Sequence, residues 1–127
     1  MTRNFNFWLF FIAGVYDLLI GLAFLCFGPQ LFTQFNVPQP AHWGYIKFGA
    51  LLLIIFGLMF FSIAFWPAAN RNLIPYGIML KLSYVGLTSY YWSTTGLPGL
   101  FQPFVFIDAV MLVLFGLAYR SAQPVAN

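Results

Sequence analysis

Charge is what this sequence has least of. Its 127 residues include five basic and two acidic side chains, 6% in all, against 62% hydrophobic residues. A water-soluble domain of this length cannot cover itself with so few charges. A net charge of +3 is too small to imply a nucleic acid or another anionic macromolecule as partner. Cysteine and histidine are nearly missing too. Cys26 is the only cysteine, which excludes an intramolecular disulfide and a multi-thiol metal site. It is read as a small apolar helix residue. His42 is the only histidine, so two-histidine haem ligation within the chain is excluded and a histidine-rich metal site is not available. No phosphate-cradling glycine loop is present, and no Ser/His/Asp or Cys/His set converges at one depth. The sequence therefore nominates no catalytic residue, no metal ligand and no cofactor. The expectation leans against an enzyme.

What fills the chain instead is apolar sequence. Four stretches, at about 5–27, 43–66, 73–93 and 101–120, each approach the ~20 residues that a spanning helix needs. They take up nearly the whole length, which predicts one transmembrane domain over 1–127 with an all-α, up-down four-helix bundle. The first stretch is too long for a signal-peptide core, lacks a small-x-small cleavage site and contains Asp17. A lipobox fails because Leu25 precedes Cys26.

Arg3, Arg71 and Arg120 fall before span 1, between spans 2 and 3, and after span 4. A four-span chain puts all three on one side, and the positive-inside rule makes that side cytoplasmic, with both termini. The expected location is a bacterial inner membrane. Trp8, Trp43, Trp66 and Trp92 stand near span ends, as interfacial aromatics do. Pro75 sits in the first turn of span 3, where its missing N–H costs little. In the first outer loop Leu31, Phe32 and Phe35 recur at helical spacing between Pro29 and Pro38. They predict a short amphipathic helix at the outer interface, a surface anchor or a lid. The segment 50–58, ALLLIIFGL, aligns with 109–117, AVMLVLFGL, which raises a duplicated two-helix hairpin.

The informative residues are the charges inside the spans. Both acidic residues, Asp17 and Asp108, and both lysines, Lys47 and Lys81, lie there, and every arginine lies outside. Measured from the inner edge at 1.5 Å per residue, Asp17 stands at about 18 Å, Lys81 at about 13 Å, Asp108 at about 20 Å and Lys47 at about 24 Å. Those depths predict Asp17–Lys81 and Asp108–Lys47 as pairs, or one group of four. Left unpaired, the four would cost about 10–14 kcal/mol.

Sidedness turns them inward. Gly14, Asp17, Gly21 and Gly28 share a face of span 1, and small residues admit a close neighbour. Gly77, Lys81, Tyr84, Thr88 and Tyr91 form a polar stripe on span 3, and Asp108 shares a face of span 4 with Met111, Phe115 and Tyr119. The candidate site is thus Asp17, Lys81, Asp108, Lys47, Tyr84 and Thr88. Two roles stand open for it. A buried ion pair can fix helix register and identity, or the group can serve as a headgroup site, a proton relay or a polar ligand site.

The stretches LIGLAFLCFGPQLFTQFNV and YIKFGALLLIIFGLMFF resemble the DoxX-like group of small four-helix membrane proteins. Its members share a first span ending near proline, a short amphipathic outer segment and a glycine-flanked second span. They often carry an acidic residue near the start of span 2, where this chain has Lys47. The resemblance implies the fold and, through members linked to quinone-associated redox complexes, a possible redox partner. An aromatic content of 22% suits a lipid or quinone surface. Three functions follow in order: an accessory or small-ligand and lipid-binding membrane protein, a proton-coupled or amphiphile transporter acting as an oligomer, and a small subunit of a quinone-linked complex. The expected partners are membrane lipid and either a larger membrane complex or a second copy.

Overall fold

The computed structural model describes residues 4–122. Its elements are α1 (Phe5–Gln34), α2 (Trp43–Phe65), α3 (Ile74–Ser93) and α4 (Gln102–Ser121), with single 3-10 turns at Arg71–Leu73 and Gly99–Phe101 leading into α3 and α4. No strand occurs among the described residues. Three helical segments, Phe5–Gln34, Trp43–Phe65 and Gly99–Ser121, are long and apolar enough to cross a membrane. The 20-residue α3 is more polar, because it carries Lys81 with Ser83, Thr88 and Ser89.

Each helix boundary has a local cause. Asn4 accepts the Phe7 backbone N–H at 3.0 Å and caps α1, supplying a partner for one of the orphan donors at a helix start. Pro75 and Pro103 stand in the first turns of α3 and α4, where no donor is lost. Within α1 the backbone breaks at Phe27 (φ −129°, ψ 21°), two residues before Pro29. Proline has no N–H to offer the carbonyl four residues back and its ring crowds that carbonyl. The span expected over 5–27 and the short outer helix are therefore one kinked element. Its final turns run to Gln34, and Asn36 at φ 58° ends them.

The chain forms two antiparallel hairpins. In the first, α1 and α2 pack along most of their length through the glycine face of α1. A Cβ at Gly14 would lie 2.9 Å from the Gly57 carbonyl oxygen, one at Gly21 2.6 Å from the Ala50 carbonyl oxygen, and one at Gly28 2.8 Å from the Trp43 ring. Side chains there would drive the helices apart, so the close approach depends on their absence. In the second hairpin α3 lies along α4. The loop between the hairpins is tied to α4: Arg71 donates from Nε and Nη2 to the Tyr119 carbonyl at 3.2 and 2.9 Å, and its guanidinium lies 3.9 Å from the Tyr119 ring centroid. A cation on the last carbonyls of a helix is favoured by the helix dipole. Asn6 reaches Ser121 at 3.2 Å, so the start of α1, Arg71 and the end of α4 share one end of the molecule. Arg3 lies outside the described residues.

The core is divided unequally. At the Arg71 end Phe10, Phe60 and Phe115 are fully enclosed. Phe10 stacks on Phe115 at 4.8 Å and Phe60 meets Phe115 at 5.1 Å between ring centroids. Leu9, Ala13, Ile63, Ala64, Ile74, Met111 and Ala118 complete that half. The outward surface is apolar on every helix, with Ile12 and Leu19, Ile55 and Leu58, Met79 and Leu82, and Val110 and Val113 exposed. An apolar exterior of this extent marks a surface that meets something other than water. The aligned segments 50–58 and 109–117 play different parts. Gly57 touches α1, whereas a Cβ at Gly116 would meet nothing within 4 Å, so the hairpin duplication gains no support from packing.

Candidate functional site

At mid-height, α1, α3 and α4 each turn one charged side chain toward the axis. Asp17, Lys81 and Asp108 are 1%, 1% and 7% exposed. Lys81 Nζ donates to Asp17 Oδ1 at 3.0 Å and to Asp108 Oδ1 at 3.3 Å. Its ammonium also lies 4.9 Å from the Tyr16 ring centroid and 5.7 Å from that of Phe60, within cation–π range. Gly77 sits one turn before Lys81, and a Cβ there would lie 2.6 Å from Phe60. The Phe60 ring thus fills the space under the lysine and closes the cluster from the Arg71 end.

Two carboxylates share one ammonium. When all three are ionised the cluster keeps one uncompensated negative charge. Burial of an ion pair is tolerated only when good geometry and further hydrogen bonds compensate the lost hydration. Here that compensation is incomplete: Asp17 Oδ2 is a buried side-chain atom without a hydrogen-bond partner.

Beyond the cluster, away from Arg71, the bundle is hollow. A cavity of about 310 Å³ has Asp17, Lys81 and Asp108 at its floor. Its walls come from Tyr16, Ile20 and Phe24 of α1, Ile46, Gly49 and Leu53 of α2, Leu80 and Tyr84 of α3, and Phe104 of α4. Phe32, from the kinked end of α1, and Phe101 stand over it. Phe24 stacks on Phe101 at 6.2 Å, Phe32 meets Phe101 at 6.1 Å, and Trp43 supports Phe32 at 5.0 Å. The Tyr84 hydroxyl donates to the Phe101 carbonyl at 2.9 Å, tying α3 to this cover. The Pro29 kink is what brings Phe32 back over the mouth. Of the three apolar residues expected to pack there, Phe32 is buried, Leu31 half-buried and Phe35 exposed.

The sequence-derived site is gathered in part. Asp17, Lys81, Asp108 and Tyr84 come together. Lys47 does not: it is exposed and makes no ion pair among the described residues. Depth matches it to Asp108, but its direction does not. Ile46 faces the cavity, and the next helical residue is turned by about 100°, which carries Lys47 outward. Asp108 takes Lys81 instead. Thr88 also stands apart, because its hydroxyl donates to the carbonyl of Tyr84 within α3 and it does not line the cavity. Sequence reasoning missed Tyr16, whose ring touches the ammonium. Its one signal is its place beside Asp17, a phenol within an otherwise apolar span. Among the described residues no three potential metal-ligating side chains gather in one place.

No protein family, curated protein or solved structure matches this chain. The functional reading therefore rests on the cavity and its floor.

Proposed function

We propose that this chain is a small membrane protein of the bacterial inner-membrane type that holds a small apolar or amphiphilic ligand, a lipid among the candidates, in the outer half of a four-span bundle. The observation that carries the reading is the cavity of about 310 Å³, apolar on its walls and charged on its floor. Ligand sites are commonly mostly apolar hollows of ~300–1,000 Å³ with a few convergent polar groups. The aromatic plug of Phe10, Phe60 and Phe115 beneath it favours holding a ligand over passing it through. That weighs against the transporter alternative.

The fourth span in this reading is α3. Its 20 residues reach across a hydrocarbon core at 1.5 Å per residue. Lys81 and Tyr84 turn inward, while Met79, Leu82 and Leu87 face outward. Arg71 and the end of α4 share one end of the bundle, which agrees with cytoplasmic termini under the positive-inside rule. The DoxX-like resemblance supports the same architecture. An accessory role beside a larger membrane complex fits the chain's small size and apolar exterior.

Native mass spectrometry of protein released directly from membranes tests the reading. The expected result is a bound small molecule that is lost in Gly49→Trp. Gly49 lines the cavity and has open space at its Cβ position, so a large ring there is expected to take up the hollow while leaving the charged residues themselves unaltered. An identical ligand complement in both proteins would place the ligand on the outer surface and overturn the assignment.

A further inference from the structure

We infer that the ligand is an amphiphile with a protonated amine head, seated with the ammonium on the Asp17–Asp108 floor and its apolar tail among the aromatic rings above. This deepens the ligand-binding reading and rests on it. Two independent features select the head. The first is charge: with both carboxylates ionised against one lysine, a monocation completes the balance, whereas an anion adds to the excess. The second is hydrogen-bonding sense. Lys81 is 1% exposed, commits two of its three N–H donors to the carboxylates and lies against the Tyr16 ring, so it presents little to an incoming anion. Asp17 Oδ2 is an acceptor without a donor, itself buried, on a residue that lines the cavity. Asp108 is the one charged residue of the three with appreciable access, at 10% of its side chain. The floor therefore asks for N–H groups carrying positive charge.

The walls suit the remainder of such a molecule. Phe24, Phe32, Phe101 and Phe104 line the upper part. Aromatic faces attract ammonium carbons as well as alkyl chains. Tyr16 lines the same floor, with its ring against the ammonium. Neutral amphiphiles would fill the hollow without supplying a counter-charge.

The test uses the full chain in phosphatidylcholine nanodiscs and three probes of equal tail length: decylamine, decanol and decanoate. Binding is read by native mass spectrometry, and Gly49→Trp supplies the level of uptake by the lipid alone. Wild-type protein should retain decylammonium at least tenfold more tightly than either other probe, and Asp108→Asn should remove that preference. Retention of decanol or decanoate at least equal to that of the amine, lost in Gly49→Trp, overturns the amine head and leaves the cavity as a ligand site. Equal retention of every probe by wild type and Gly49→Trp overturns both readings. An undiminished preference in Asp108→Asn also overturns the amine head. Should Asp108→Asn fail to fold, the head-group series on the unaltered protein decides the question.

Discussion

Lys81 holds two partners, and its loss leaves more behind than the loss of either carboxylate. Lys81→Met would strand Asp17 and Asp108 side by side without a counter-charge. Breaking a buried ion pair by removing one member typically costs ~3–5 kcal/mol, and that is the expected destabilisation in detergent. Asp108→Asn should cost less, because Lys81 keeps Asp17 at 3.0 Å. The triple variant Asp17→Asn, Lys81→Met, Asp108→Asn should regain most of the loss, since replacing all members of a buried charge cluster is often close to neutral. Lys47→Gln, at an exposed position, should stay within about 0.5 kcal/mol of wild type. Thermal unfolding of the five proteins checks the ranking, and a Lys81→Met protein as stable as wild type would show that the three charges do not support one another. The pair Asp17–Lys81 was legible in the sequence because depth and sidedness agreed for both residues. Lys47 was misplaced because depth along an axis says nothing of direction around it, and a lysine's long reach makes a wrong partner look attainable. Asp17's unpartnered oxygen had no sequence signal at all.

Helix–helix contact in the first hairpin depends on atoms that are missing. Gly21→Ala would put a methyl 2.6 Å from a carbonyl oxygen of α2, and overpacking of a close contact costs ~1–3 kcal/mol. Gly116→Ala enters open space on α4. There the alanine should gain ~0.4–1 kcal/mol by restricting the unfolded chain. The same residue change at two helix glycines is thus expected to shift the detergent melting temperature in opposite directions, and shifts of one sign would refute the packing account. Apart from the end of α1, helix limits were well marked in the sequence. The stretches at 43–66 and 73–93 appear as the helices Trp43–Phe65 and Ile74–Ser93, because apolar length and proline placement are local signals. The two aligned segments were misleading for a related reason. Apolar helices draw on few residue types, so Gly57 and Gly116 align while only one of them meets a neighbour.

At the scale of the molecule, the interior is filled by side chains in one half of the bundle and hollow in the other, and Arg71 and Arg120 lie at the filled end. The expected topology places Arg71 and Arg120 in the cytoplasm and His42 and Ser93 outside. Single cysteines at positions 42, 71, 93 and 120, in a Cys26→Ala background, report on this through a membrane-impermeant thiol reagent. Intact cells should label positions 42 and 93 only. Labelling at 71 and not at 42 would invert the bundle and turn the cavity toward the cytoplasm. The lid alternative for the outer segment anticipated an opening beneath it, but the size and shape of the hollow were not legible in the sequence. The polar stripe of α3 and the outer aromatic segment pointed to its floor and its cover, but an empty volume arises from how four helices diverge, which no single element encodes.

Lys81 reaches one carboxylate that precedes it in the chain and one that follows it, and this orders the events of synthesis. On the four-span reading, α1 and α2 can enter the bilayer as they emerge. The more polar α3 carries a lysine that costs roughly 2.5–3.5 kcal/mol at the middle of a lone helix, with Asp17 as its only counter-charge until α4 is made. A chain truncated at Pro98 and released from the ribosome should therefore hold α3 in the membrane only partly, leaving the two positions that flank it on the same side in a fraction of molecules. Extension through Ser121 should bring Asp108 into reach and drive that fraction toward zero. Reporter tags at Asn70 and Thr95, read in vitro during membrane-coupled translation, would show whether the last helix recruits the one before it.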